Sequence, residues 1–202
     1  MPRAQSSGMM TIQPRPAVSD IRPIGLLLLF CLVPLARAQA AETITATANV
    51  KNSGGVEASA PVSVTLDRFS TDAERDKVLA ALKQGGTASV RALLLTASPL
   101  GSVRVGTINT VIKFAYSRTT ADGRLITVVT GSPIAFVGAG LPGAAPKTGY
   151  DLGLVLLNTS TSGPGHGELT PAAKVRLNEQ GAIVTEDYGG ELVVQLSNVV
   201  GK

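Results

Sequence analysis

From Thr43 to Val50 the chain alternates without exception. Ile44, Ala46, Ala48 and Val50 take one parity, and Thr43, Thr45, Thr47 and Asn49 take the other. An extended strand sends successive side chains to opposite faces, so this pattern specifies a strand with one buried face and one wet face. Val62, Val64 and Leu66 set against Ser63, Thr65 and Asp67 repeat it. Lys51-Asn52-Ser53-Gly54-Gly55 between them is turn chemistry. From Gly101 onward, strand and turn signals follow one another: Val103 and Val105, Val111 to Ser117, Leu125 to Thr130, Ile134 to Val137, Leu152 to Leu157, Leu169 to Leu177, Ala182 to Asp187 and Glu191 to Val199. Asp122-Gly123 marks a hairpin between the second and third of these.

One interruption is helical. Thr71 can cap the amides ahead of it while Glu74 reaches back to complete a capping box, and Val78, Leu79 and Leu82 form the apolar stripe. Gly85-Gly86 stops that helix. Thr87 can then cap a second, with Val90, Leu93 and Leu94 inward, that ends before Pro99. The expected fold is mainly β with a minor α part: an antiparallel meander, curled or barrel-like, plus one or two short helices at about 71–84 and 88–96. No internal repeat is visible. With no Trp, four Phe and three Tyr, the core must be built from Val, Leu, Ile and Ala. The same scarcity argues against modules that stack nucleic-acid bases or sugar rings on aromatic side chains.

The first 38 residues read as a secretory leader. Arg15 and Arg22 precede an apolar run from Ile24 to Leu35, which gives way to Ala36-Arg37-Ala38 and Ala38-Gln39-Ala40, so cleavage is expected after Ala38 or Ala40. The run is shorter than the roughly 20 apolar residues a membrane-spanning helix needs, and it contains Pro34. Met9 or Met10 would give a more ordinary leader than Met1. Phe30 before Cys31, and Leu32-Val33 after it, argue against a lipid-anchored cysteine.

Removing the leader discards Cys31, the one cysteine, and with it any disulfide, zinc-thiolate or cysteine-nucleophile chemistry. It also discards Arg3, Arg15, Arg22 and Arg37 against Asp20 alone, which lowers the formal net charge from +4 to +1. The basic balance therefore belongs to the leader and does not point to nucleic acid. Residues 39–61 are expected to form an N-terminal strand and Gly-containing loop, and residues 62–202 a single β-rich domain.

Few residues offer chemistry. Gly138-Ala139-Gly140-Leu141-Pro142-Gly143 has the spacing of a dinucleotide-binding fingerprint. Pro142 and the Ala144-Ala145-Pro146 that follows deny it the helix whose amides would meet a pyrophosphate. His166, the single histidine, lies two residues before Glu168 in a Gly-rich stretch that reads as an exposed loop. Glu186-Asp187 is the one adjacent acidic pair in the mature chain, and strand neighbours diverge unless a bulge or turn intervenes. His166, Glu168 and Asp187 are thus the only weak catalytic candidates. No cofactor or metal set is recognisable.

The segment Ser70-Thr71-Asp72-Ala73-Glu74-Arg75-Asp76-Lys77-Val78-Leu79-Ala80-Ala81-Leu82-Lys83-Gln84-Gly85-Gly86 resembles a group of exported bacterial proteins of unknown function. Gly106-Thr107-Ile108, Ser132-Pro133-Ile134-Ala135-Phe136 and Leu196-Ser197-Asn198-Val199 are similar too, so the resemblance spans most of residues 62–200. Between Phe136 and Tyr150, where that group is expected to carry aromatic and charged residues, this chain has Gly, Ala and Pro. The resemblance implies export and brings no activity, cofactor or catalytic residue.

The function expected from these features is that of a non-catalytic periplasmic or extracellular domain that binds something or supports an envelope assembly. One alternative is a carrier that holds a small apolar ligand in a β-barrel cavity. The other is an enzyme with an unfamiliar site. The partner is then an envelope protein or a small apolar ligand, with no nucleic acid and no transmembrane segment after cleavage.

Overall fold

Each alternating segment forms a strand in the computed structural model, which describes residues 41–51, 57–134, 148–187 and 194–201. In chain order these are β1 (Glu42–Lys51), β2 (Glu57–Leu66), α1 (Asp72–Thr96), β3 (Gly101–Val105), β4 (Ile108–Thr120), β5 (Gly123–Thr130), β6 (Leu152–Ser160), β7 (Gly165–Leu177), β8 (Ile183–Asp187) and β9 (Val194–Gly201). All belong to one compact unit, Arg37–Lys202. Residues 52–55 of the first Gly-containing turn, and 135–137 of the strand expected over Ile134 to Val137, lie outside the described residues. Ile134 itself is not in a strand.

Strands β1 to β7 pair antiparallel with their sequence neighbours, and β9 bonds β7 on one side and β1 on the other. The eight strands therefore close into an antiparallel barrel, the barrel-like form of the expected meander. The simple succession breaks once, because β8 pairs with the far half of β7 outside the barrel and β9 takes the closing position. Residues 39–61, read as a segment preceding the domain, supply β1 and the first part of β2 as full members of the wall.

Barrel parity follows sequence parity. Ile44, Ala46, Ala48 and Val50 of β1, Val62, Val64 and Leu66 of β2, and Ile126 and Val128 of β5 share one buried cluster with inward residues of the other barrel strands. Thr43, Thr45, Thr47 and Asn49 take the opposite face. In β1 the wall is apolar inward and polar outward. No helix among the described residues is long and apolar enough to cross a membrane.

Bulges change parity where the fold needs it. Ile112 pairs with Thr130 but Phe114 with Val129, so Lys113 is the extra residue in β4. Ile112 and Ala115 consequently join the inner cluster, while Phe114 faces outward beneath the helix. The displaced Lys113 ammonium donates to the carbonyl of Ala97, the helix C-cap, at 2.6 Å. In β9, Asn198 adopts φ 53° at a second irregularity, so that Leu196 and Val199, three apart, both face inward. Asn tolerates that left-handed conformation better than a β-branched residue would.

Both mouths are spanned by side chains. Phe69 and Leu100, after β2 and before β3, join the inner cluster at one mouth, and Ile134, after β5, joins it at the other. The Leu100 amide donates to the Ile112 carbonyl at 2.9 Å, and the Ile134 amide to that of Pro171 at 2.8 Å. At the mouth that holds Phe69 and Leu100, Glu42 and Arg124 continue the inward parity of β1 and β5, strands opposite one another in the ring, and form an ion pair.

The expected helices meet at Gly85 and Gly86, whose non-helical backbone kinks α1. Gly86 combines φ 62° with ψ −152°, a conformation open essentially to glycine. Thr71 caps the first half and Glu74 completes the box. Thr87, expected to cap the second half, instead accepts from the Val175 amide of β7 at 2.9 Å and donates to the Val175 carbonyl at 3.3 Å. A hydroxyl that can satisfy a backbone donor and acceptor on an adjoining strand has a stronger use there than at a kink. Both halves of α1 lie on the outer face of the barrel, where Val78, Leu82, Val90 and Leu94 pack over Phe114, Val129, Leu154 and Val175. Each such aliphatic side chain, fully buried, contributes roughly 1.5–3 kcal/mol.

Gly153 in β6 allows Ile134 to reach the mouth. A Cβ there would lie 2.5 Å from Ile134 Cγ1 and 2.5 Å from Thr130 Oγ1, the atom that accepts the Gly153 amide at 3.0 Å. Gly153→Ala is therefore expected to cost about 1–3 kcal/mol in urea unfolding. Gly163→Ala, with open space around it, should change stability by less than about 0.5 kcal/mol. Equal effects of the two substitutions would contradict this packing.

Candidate functional site

The catalytic candidates do not converge. His166 and Glu168 are exposed on β7, opposite Asn158 and Leu156 of β6. His166 is thus exposed as expected but lies in a strand rather than a loop. The flanking glycines explain this, since a Cβ at Gly165 would fall 1.8 Å from the Asn158 carbonyl oxygen and one at Gly167 2.3 Å from that of Leu156. Asp187 ends β8 opposite Lys174, eight residues further along β7 than His166. At 3.3 Å per residue that is a separation of roughly 26 Å, too far for one substrate bond.

The register slips between Lys174 and Val175 and leaves Glu186 as a bulged residue, yet both acids stay exposed. Asp187 accepts from the Tyr150 hydroxyl, whose pKa is raised chiefly by that hydrogen bond. Lys174 sits over the Tyr150 ring at 4.8 Å. Among the described residues no cluster of three or more His, Cys, Asp or Glu side chains could hold a metal ion. The Gly138–Gly143 motif lies outside the described residues.

A different group of side chains surrounds a groove on the outer face of the barrel. Its floor is β4 and β5, one wall is the first half of α1, and the other wall is the turn between β7 and β8. The groove is open on one side and holds about 190 Å³. Outward parity sets the floor, with Phe114, Tyr116 and Arg118 alternating on β4 and Leu125 and Thr127 on β5. The β7–β8 turn is fixed by its own bonds. The Asn178 amide donates to the Ala182 carbonyl, and the Ala182 amide returns to Asn178 Oδ1 at 2.8 Å.

The helical wall is anchored just upstream. Arg68 makes two 2.8 Å hydrogen bonds to the two carboxylate oxygens of Glu74, and Glu74 also accepts from the Thr71 amide at 2.7 Å. The Ser70 amide donates to the Ala115 carbonyl at 2.7 Å, which ties the start of the helix to β4. Arg75, the next residue, projects into the groove and donates to the Tyr116 hydroxyl, with its guanidinium 4.9 Å from the Tyr116 ring centre.

The two groove arginines differ. Arg75 is ion-paired with Asp76 at 2.9 Å and Asp72 at 3.3 Å, so its charge is offset by two carboxylates. Arg118 donates to the Gln180 carbonyl at 3.3 Å and, among the described residues, pairs with no carboxylate. The groove thus carries acids at its helical end and an available guanidinium at its turn end. Sequence reasoning missed these residues because positions 75, 116, 118 and 180 meet only through the barrel. The available signal was the outward parity of Tyr116 and Arg118 in a chain with three tyrosines.

No protein-family model, no curated protein and no solved structure matches this chain. The groove therefore has to be interpreted from its own residues.

Arg68 and the Thr71 amide lower the Glu74 pKa from 4.5 to about 2. A carboxylate depressed in the folded state stabilises it above the unfolded pKa, and that contribution is lost as pH falls from about 4.5 toward 2. Both side chains are about 40% exposed, so solvent screening limits the effect to about 1 kcal/mol or less. Glu74→Gln should flatten the pH dependence of unfolding free energy between pH 5 and pH 2.5 (about 1 kcal/mol or less). An unchanged slope would contradict the assignment.

Proposed function

We propose that this chain is an exported, non-catalytic envelope or secreted domain that uses a solid barrel as a scaffold and binds at its outer surface. The observation that carries this reading is the interior. The inward side chains from Ile44 to Val199 are aliphatic apart from Phe69, and each retains only a few per cent of its surface. The mouth pair Glu42–Arg124 is bonded to itself.

Two alternatives find less support. A carrier of a small apolar ligand needs a cavity among those same side chains. An enzyme built on His166, Glu168 and Asp187 needs them within reach of one substrate. The resemblance of residues 62–200 to exported bacterial proteins agrees with export and adds no activity. The outer face, by contrast, offers a groove with polar and apolar walls.

The reading is tested by affinity capture from the native envelope with the processed protein as bait. A specific, saturable partner is expected, and it should be retained by the triple variant His166→Ala, Glu168→Ala, Asp187→Asn. Recovery of no specific partner, or loss of the partner in the triple variant with folding intact, would contradict the reading.

A further inference from the structure

We propose that the groove between α1, the β4–β5 floor and the β7–β8 turn binds a small organic monocarboxylate with an apolar body. The proposal rests on the outer-surface reading above and supplies the ligand chemistry for it.

Charge selects the class. Asp72 and Asp76 offset Arg75 at the helical end, and Asp72 also accepts from the Tyr116 hydroxyl at 3.4 Å. Among the described residues, Arg118 is the groove cation that pairs with no carboxylate. One guanidinium neutralises one negative charge, and a dianion would bring its second charge toward two aspartates. The planar fork of an arginine presents two parallel N–H donors, the geometry a carboxylate accepts. Only one Arg118 nitrogen is committed, in a long hydrogen bond to the carbonyl of Gln180.

Shape and polarity select the body. Leu79, Leu125 and the Tyr116 ring line the groove partly exposed, and the buried Phe114 and Ile183 lie beneath. Leu125 is half-buried although its outward neighbour Thr127 is buried, so the floor presents apolar surface that the protein's own side chains do not cover. A ligand whose carboxylate meets Arg118 can lay its remainder on this surface. At about 190 Å³ the groove is below the roughly 300–1,000 Å³ of pockets for drug-sized ligands. It therefore suits one ring or a short acyl chain.

The geometry also gives the groove rigid walls. The capping box and the Arg68–Glu74 pair fix the helical side, and the Asn178–Ala182 bonds fix the turn. Little ordering is left for the ligand to impose, which favours binding by a small molecule.

The test is an amide-resolved NMR titration of the processed protein at pH 7 with three probes. Phenylacetate carries charge and body, phenylacetamide carries the body without the charge, and acetate carries the charge without the body. Phenylacetate is expected to saturate with a Kd of about 1 mM or tighter, shifting the amides of Leu125, Thr127, Ala182 and Ile183. Phenylacetamide and acetate should each bind at least about tenfold more weakly. Arg118→Gln should weaken phenylacetate at least about tenfold, Arg118→Lys less so, and Arg176→Gln, outside the groove, not at all.

Equal binding of phenylacetate and phenylacetamide to the unmodified protein would overturn the proposal without reference to any variant. Unchanged affinity in Arg118→Gln, or no saturable shift in the groove amides, would overturn it as well. If envelope capture still recovers a specific partner in that case, the outer-surface reading stands and only the carboxylate assignment falls.

Discussion

Closing eight strands into a ring satisfies every strand edge within the wall and encloses an interior narrow enough for the wall's own side chains to fill. That constraint governs the rest of the structure. Because β9 bonds both β7 and β1, inward residues from all eight strands meet in one cluster, and none has to be large. Valine, leucine, isoleucine and alanine fill the space, which explains how a chain without tryptophan builds a core. Phe69, Leu100 and the Glu42–Arg124 pair at one mouth and Ile134 at the other complete the packing.

The outer face of the wall is not uniform. The polar outer face of β1 and β2 is ordinary solvent-facing wall, but the opposite side, over β4 to β7, is apolar enough to need a cover. The run Leu152–Leu157 is buried on nearly every residue because Val155 and Leu157 face the interior while Leu152 and Leu154 face the helix. Helix α1 supplies the cover through its kink at Gly85-Gly86 and the Thr87 clasp on Val175. It stops short of covering Leu125, and β8, displaced from the barrel, forms the facing wall. The groove is the gap between a cover and a hairpin that closure pushed outside.

Local features were legible in the sequence. Period-two alternation in β1 and β2, the Asp122-Gly123 hairpin and the Thr71–Glu74 capping box are written in neighbouring residues, and the structure forms each of them. Non-local features were not. That β9 rather than β8 closes the barrel depends on which strand can reach β1 in register, and no short window encodes that. Thr87 was misread because its capping potential is visible locally and its partner Val175 is not. His166 reads as a loop residue in sequence because glycines usually break strands, whereas here they permit close pairing with β6. Arg75, Tyr116 and Arg118 were invisible as a group for the same reason as β9.

The central claim is that the barrel interior is solid, and a small-to-large substitution at its centre tests this most directly. Ala48 is fully buried on β1, between Ala60 of β2 and Leu196 of β9. In a solid interior Ala48→Leu overpacks the core, and urea unfolding should report a loss of about 1–3 kcal/mol. A variant as stable as the parent protein, or more stable, would reveal space for the added atoms and contradict the account.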